Sequence, residues 1–289
     1  MNNHNIINKL TGLNISDELA DILDELDAGK EVDIERICRT VEIEEAETCL
    51  IDIRREENKE EYYSKRSNLH NNIISKIEKN GAIGIDRDGN RTYNNSVLKN
   101  GRLDIVIGLP GSGKSSTLVI PISEKYCSRV IDSDDIKAML PEYNNGWGAT
   151  IVHEESKLIL SKIMSRALNE NENIVLPIVG SKYNSVLNNI LKAKDNGYKV
   201  YLHMVDIPYS KAMSRMIKRF CNTGRYIPPL KMKQYEGGKI ESVYEKLKNS
   251  NYIDGYSKWN NDVKYDEKPK LIDGKSPLEA ELKVRRKAR

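Results

Sequence analysis

The residues Gly108-Leu109-Pro110-Gly111-Ser112-Gly113-Lys114-Ser115 satisfy the pattern G-x-x-x-x-G-K-[ST] without a departure. Glycines at these places let backbone N–H groups turn inward around a phosphate. A lysine at the seventh place reaches the β/γ oxygens, and the closing hydroxyl, Ser115, is a ligand for Mg²⁺. Ser116 follows inside the same cradle. Such a loop takes a nucleoside triphosphate, and a structural glycine turn is the plainer alternative. Further along, Asp132-Ser133-Asp134 offers two acids at the end of an apolar run. A carboxylate placed near a triphosphate costs energy unless it is used. Asp134 suits a general base that takes a proton from an acceptor hydroxyl, and Asp132 suits a metal or positioning role. Capping of the next helix by Ser133 or Asp134 is the structural alternative. Arg215 and Arg219 lie four apart on one predicted helix, and Arg225 follows in a loop rich in Gly and Pro. Guanidiniums over a transferring phosphoryl group are the expected device for neutralising its charge, although solvated surface arginines have the same pattern. Glu154 and Ser161, seven apart and so on one helical face, are candidates for acceptor binding, and the helix dipole alone also favours an acid at that place. His153 beside them reads as packing.

These residues need a scaffold, and the chain spells one. The run Leu103, Ile105, Val106, Ile107 predicts a strand entering the loop, and Ser115–Tyr126 a helix leaving it. From there strands (103–108, 129–132, 173–179, 198–205, 251–256) alternate with helices (114–126, 134–140, 150–170, 183–195, 209–222, 231–249). That is the grammar of a parallel sheet with crossover helices. Upstream the chain is helical. Ser16 caps a stripe of Leu19, Ile22, Leu23 and Leu26, and Asp33 caps one of Ile34, Ile37, Cys38 and Val41. A third stripe runs through Ile43, Ala46, Leu50 and Ile53, and a long helix covers Glu60–Lys79. The expected organisation is a helical N-terminal module (1–80), a connector (81–101), a P-loop α/β kinase domain (102–262) and a polar, basic tail (263–289).

The net charge of +3 hides an asymmetry: residues 16–61 carry 18 acids against 6 bases, a net −12, and residues 62–289 a net +14. A basic catalytic part suits a polyanionic substrate. The acidic segment is either a solvated surface or a piece that docks on the basic part. No run of 18 apolar residues and no leader pattern occur, so a membrane span and a signal peptide are not expected. Four scattered cysteines (Cys38, Cys49, Cys127, Cys221) argue for reduced thiols and a cytoplasmic protein over a disulfide frame or zinc site. The basic end (Lys283, Arg285, Arg286, Lys287, Arg289) reads as a solvated terminus, so nucleic acid is not the expected partner.

The ordered set of Pro110–Ser115, Asp132–Asp134, a long helix, Arg219 and Arg225 resembles the zeta toxin family of toxin–antitoxin kinases over roughly residues 100–260. Tyr252–Asn260 is similar to that family's final strand. The resemblance implies a P-loop kinase-like parallel sheet with flanking helices. It implies Asp134 as base, Lys114, Arg219 and Arg225 on the phosphates, and ATP or GTP with Mg²⁺. It also implies transfer to the 3′-hydroxyl of a nucleotide sugar, typically UDP-N-acetylglucosamine. One segment departs from the family: where its members carry Val-Ile-Glu-Gly-Thr, this chain has Val175-Leu176-Pro177-Ile178-Val179-Gly180, and Ser161 stands where a sugar-binding glutamate is expected. The machinery for phosphate is kept and the groups that read the acceptor are changed. The chain is similar in this to an effector-like branch that phosphorylates NAD. A nucleic-acid end kinase and a nucleotide-gated binding module without turnover are the remaining alternatives. Family antitoxins are small acidic helical proteins, and some members carry such a segment in cis. Residues 16–61 have that character, so deleting residues 1–60 is expected to raise kinase activity or toxicity.

Overall fold

The computed structural model describes residues 17–41, 59–86, 88–146, 148–225, 227–264 and 267–274. Ser16, the predicted stripe from Ile43 to Ile53 and the basic end fall outside the described residues. The chain divides into two units. One draws on Met1–Ile74, Ser133–Leu160 and Pro208–Glu236, and the other on Ser75–Asp132, Ser161–Ile207 and Gly237–Arg289.

The second unit holds a six-stranded sheet. In chain order its strands are β3 (Arg102–Ile107), β4 (Arg129–Val130), β5 (Ile174–Ile178), β6 (Lys199–Asp206), β7 (Gly255–Asn260) and β8 (Lys270–Gly274). A small antiparallel pair, β1 (Ile83–Ile85) and β2 (Arg91–Tyr93), precedes them. Across the sheet the order is β4-β5-β3-β6-β7-β8, parallel except for β8. Leu103, Ile105, Val106 and Ile107 are fully buried, as a central parallel strand covered on both faces requires. The chain leaves β3 toward β4 and β5 on one side and later returns to β6 on the other. The loop after β3 therefore stands at the topological switch point, where α/β sheets bind their ligands. The fold is α/β, a P-loop kinase-like parallel sheet with flanking helices.

Pro177 sits within β5 without breaking it. The carbonyl of Val175 accepts from the N–H of Ile131 on the β4 side, and Pro177 has the same phase two residues on. Its missing N–H faces the side on which β4 has already ended, so no ladder bond is lost. Across the opposite half of the sheet runs a buried polar chain. The Arg102 guanidinium lies between the rings of Tyr126 and Tyr201 at 3.7 and 3.8 Å and donates twice to Asp104 at 2.7 Å. Asp104 Oδ1 is 3.0 Å from His203 Nε2, and His203 Nδ1 is 2.7 Å from Ser257 Oγ. An Asp–His–Ser order invites a hydrolase reading, but Ser257 has no exposed surface and its hydroxyl already accepts the Trp259 indole N–H at 2.9 Å. The chain of contacts fastens three strands together and offers no nucleophile.

The other unit is helical in its described part: α1 (Asp17–Asp27), α2 (Ile34–Val41), α3 (Lys59–Lys65), the start of α4 (Ser67–Asn80), α6 (Ser133–Lys137), a 3₁₀ turn (Pro141–Gly146), the first half of α7 (His153–Asn169), α9 (Tyr209–Thr223) and α10 (Pro229–Lys233). Leu19, Ile22, Leu23 and Leu26 are buried as their spacing predicts, and α1 packs on α9 while α2 packs on α10. Asp33 accepts the Glu35 N–H at 3.2 Å, the cap its position predicts. Asp27 accepts from Ser214 Oγ at 2.5 Å and pairs with Lys218. Residues 17–41 and 59–74 thus share a unit with the arginine helix α9.

Several boundaries differ from the sequence reading. The predicted helix 60–79 breaks at Arg66, whose N–H bonds back to Tyr63, because its side chain is held by two acids described below. The predicted helix 231–249 is two, α10 and α11 (Lys239–Lys248), separated at Gly237 and Gly238, both with positive φ. The last parallel strand is 255–260, not 251–256, since Asp254 turns its carboxylate onto the Val200 N–H at 2.6 Å. The connector holds β1 and β2, and the polar tail supplies β8.

Candidate active site

The phosphate loop leaves β3 in the sheet unit. A Cβ on Gly108 would stand 2.5 Å from the Val205 carbonyl oxygen, and Gly111 and Gly113 have φ of +80° and +83°, so the loop path requires glycine at these places. Lys114 Nζ donates to the carbonyls of Gly108 and Leu109 at 2.7 and 3.0 Å, bent back across the loop it would serve. Ser112 is buried, and Asn261, just past β7, donates to its carbonyl at 2.5 Å. Asn261 is a loop buttress that sequence reasoning missed. Pro110 is half-buried, and Ser115 and Ser116 face solvent. The helix that follows opens with a π turn (Ser115–Val119) before α5 (Ile120–Tyr126), with the Ile120 N–H reaching Ser115 O. Pro121 explains the wider turn: it has no N–H for the carbonyl four residues back, and its ring pushes that carbonyl away. Asp132 follows β4 in the same unit and is half-buried.

The helical unit brings together the acid and one of the arginines. Asp134, in the first turn of α6, pairs with Arg225 from the loop after α9, and Lys137 Nζ lies 3.2 Å from its Oδ1. These side chains are sequestered, Lys137 and Arg225 at 12% and 14% exposure against 30% for Asp134. Gly146 closes the 3₁₀ turn against the same loop. At φ +108° it has no room for a Cβ, which would sit 2.5 Å from Arg225 Cα. Arg219 is exposed on α9, within electrostatic reach of Tyr143, whose hydroxyl is pushed up chiefly by burial. Arg215 lies within electrostatic reach of Asp27 at the end of α1. Burial alone would raise the Asp27 carboxyl, and Lys218, Ser214 and Arg215 together hold it below its usual value. Glu154 and Ser161 are both exposed on α7.

Glu155, the neighbour of Glu154, is fully buried. Its Oε1 receives Arg66 Nε at 2.6 Å and lies 2.7 Å from His70 Nε2. The same guanidinium donates twice to Glu142 in the 3₁₀ turn, at 2.7 and 2.8 Å. Desolvation works against the charge of Arg66, yet the two carboxylates raise its pKa well above the usual arginine value. Arg66 thereby ties α4, α7 and the turn that abuts Arg225. Sequence gave no hint of this, for the three partners lie 76 and 89 residues apart. A third group was also missed: the charges of Lys137, Lys231 and Lys157 act on His153. The ring is pushed down to about 3 by burial first, then by the fields of the three lysines. Only Lys137, three residues from Asp134, carried a local signal.

Among the described residues no cluster of His, Cys, Asp or Glu could hold a metal by itself, and no helix is long and apolar enough to cross a membrane. The loop's donor set suits a hard cation shared with phosphate oxygens, because Ser115 presents an exposed hydroxyl at the helix start.

A family model described as zeta toxin matches residues 71–265. Among solved structures, a complex of AvrRxo1-ORF1 and AvrRxo1-ORF2 with ATP aligns at a TM-score of 0.53 and 15% identity, covering 73% of this chain and 67% of that one. The same pair with sulphate ions aligns at 0.52 and 16%, covering 77% and 74%. A chain of the PezAT toxin–antitoxin system of Streptococcus pneumoniae aligns at 0.47 and 13%, covering 62% and 72%. A search of curated proteins finds no match.

Proposed function

Because the chain belongs to the zeta toxin family, we propose that it is a kinase that moves the γ-phosphoryl of ATP or GTP to a hydroxyl of a nucleotide-type small molecule. The observation that carries this reading is the Asp134 carboxylate held between Arg225 and Lys137. Such an acid, with cations at its side, is what a positioned base in phosphoryl transfer requires. The intact loop supplies the donor site, and a complex of the same fold solved with ATP supports a nucleoside triphosphate there.

The chemistry follows from the groups present. Loop N–H groups and Lys114 hold the β and γ phosphates, with Lys114 leaving the carbonyls of Gly108 and Leu109 for phosphate oxygens. Ser115 is the residue that would hold Mg²⁺, with Asp132 as an indirect ligand, and the ion would neutralise charge on the bridging oxygens. The acceptor oxygen bonds to the γ-phosphorus as the bond to the β-γ bridging oxygen breaks and the nucleoside diphosphate leaves. The hydroxyl proton goes to Asp134. Arg225 exchanges its carboxylate for the transferring phosphoryl, which frees Asp134 at the moment it is needed, and Arg219 adds charge from α9.

The family makes the 3′-hydroxyl of UDP-N-acetylglucosamine the first acceptor to test. Pro177 and Val179 leave no acid or hydroxyl at the places where the family reads the sugar, so NAD is the second. Mass spectrometry after incubation with ATP and Mg²⁺ decides between them: one of the two is expected to gain a single phosphate. Gain by neither, with gain by an oligonucleotide end, would replace the reading with that of a nucleic-acid kinase.

For regulation, we infer that the acidic helix α1 and its neighbour α2 act in cis on α9 and α10, on which they pack. Loss of residues 1–60 is then expected to raise turnover, and unchanged turnover would remove this part.

A further inference from the structure

Asn261 follows β7 directly and has no exposed surface. Its own N–H donates to the Asp206 carbonyl at 2.9 Å, which ties it to the end of β6. Its side-chain Nδ2 donates to the Ser112 carbonyl at 2.5 Å. Ser112 is also fully buried, whereas Gly113 and Lys114 after it are half-buried. All these residues belong to the sheet unit. A trans peptide is planar and sends its C=O and the following N–H in opposite directions. Holding the Ser112 oxygen toward the buried Asn261 therefore aims the Gly113 N–H the other way, toward the open side of the loop. No acceptor among the described residues takes that N–H.

This peptide has a second orientation within reach. Gly113 has φ of +83°, and a glycine accepts φ of either sign. Counter-rotation of Ser112 ψ and Gly113 φ turns the peptide over while the chain path is kept, as between type I and type II turns. Turned over, it would set the Ser112 carbonyl oxygen against phosphate oxygens where a donor is needed. An N–H to an ionised oxygen is a strong hydrogen bond, and a carbonyl in its place repels. From the Asn261–Ser112 contact we infer that Asn261 is a positioning residue for the donor site. It fixes the Ser112–Gly113 peptide with its N–H on the phosphate side, so that the loop is preset for a triphosphate before one arrives. The inference rests on the kinase reading for the identity of the anion in the loop. In this role Asn261 acts through the backbone, away from the reacting atoms.

The test follows the Gly113 amide by NMR in the full chain labelled with ¹⁵N-glycine, titrated with a non-hydrolysable ATP analogue and Mg²⁺. Wild type is expected to show a large downfield shift of the Gly113 amide proton on saturation, as a charge-assisted bond forms. In Asn261→Leu, which keeps the shape of the side chain without the donor, analogue affinity should fall at least tenfold. The Gly113 proton shift at saturation should shrink with it, and the free chain should already show a changed Gly113 ¹⁵N shift. Should that variant not fold, Asn261→Ala is expected to behave alike. Weaker binding with the wild-type Gly113 shift at saturation overturns the inference, since Asn261 would then only support the fold. Unchanged affinity in a folded variant overturns it too. A wild type that binds no analogue fells the kinase reading instead. The Gly113 ¹⁵N shift of the free chain, changed or unchanged between wild type and variant, then still decides whether Asn261 sets the peptide.

Discussion

His153 carries a chemical consequence out of proportion to its place in the sequence, where it reads as packing. Its pKa is pushed down to about 3 from the usual value near 6.5, by burial and then by Lys137, Lys231 and Lys157. The folded chain therefore refuses a proton that the unfolded chain accepts between these values. Stability rises with pH across that window and is lost on acidification. In urea titrations, wild type is expected to lose more stability from pH 6.5 to 4.5 than His153→Gln, and parallel slopes would contradict the assigned environment. The loop from Gly108 to Ser115 was readable residue by residue, because backbone geometry forces its glycines and phosphate chemistry its lysine. Asp134 and Arg225 were readable as types, and the structure adds that they are paired. The lysines around His153 were not readable, since nothing local ties residues 157 and 231 to Asp134.

At the scale of elements, Arg66 shows how a side chain can override local periodicity. Apolar spacing predicts one helix from Glu60 to Lys79, and no glycine or proline interrupts it. The chain nevertheless turns at Arg66, which donates to Glu142 and Glu155 together. Arg66→Ala leaves the fully buried Glu155 with His70 alone. Breaking a buried pair of this kind costs about 3–5 kcal/mol, and chemical denaturation is expected to show a loss of that order. A loss below about 1 kcal/mol would mean that the network does not hold α4 to α7. The strands were legible where both faces are buried and side chains are mostly apolar, as in β3 and β5. They were misjudged where pairing and not composition defines them. β8 is polar and lies at the sheet edge, and β1 and β2 are three residues each. The double glycine at 237–238 was a legible stop that the apolar stripe of α11 concealed.

At the scale of the molecule, chain order and structural unit do not coincide. Residues 133–160 leave the sheet after β4 and residues 208–236 leave it after β6, and both join residues from the N-terminal helices in one helical unit. Alternating strand and helix patterns reveal the sheet, because each crossover is local in sequence. They are silent on which helices meet. The loop belongs to one unit, and Asp134, Arg219, Arg225 and the lysines to the other. The central claim is the proposed one, that the chain performs phosphoryl transfer with Asp134 as base. It is tested most directly by following label from γ-³²P-ATP into UDP-N-acetylglucosamine and NAD, with wild type and Asp134→Ala side by side. The account predicts label in one acceptor with wild type. It predicts a loss of about 10²–10⁴-fold in the variant, with ATP affinity retained. Equal transfer by both proteins, or none by wild type that binds ATP, would contradict it.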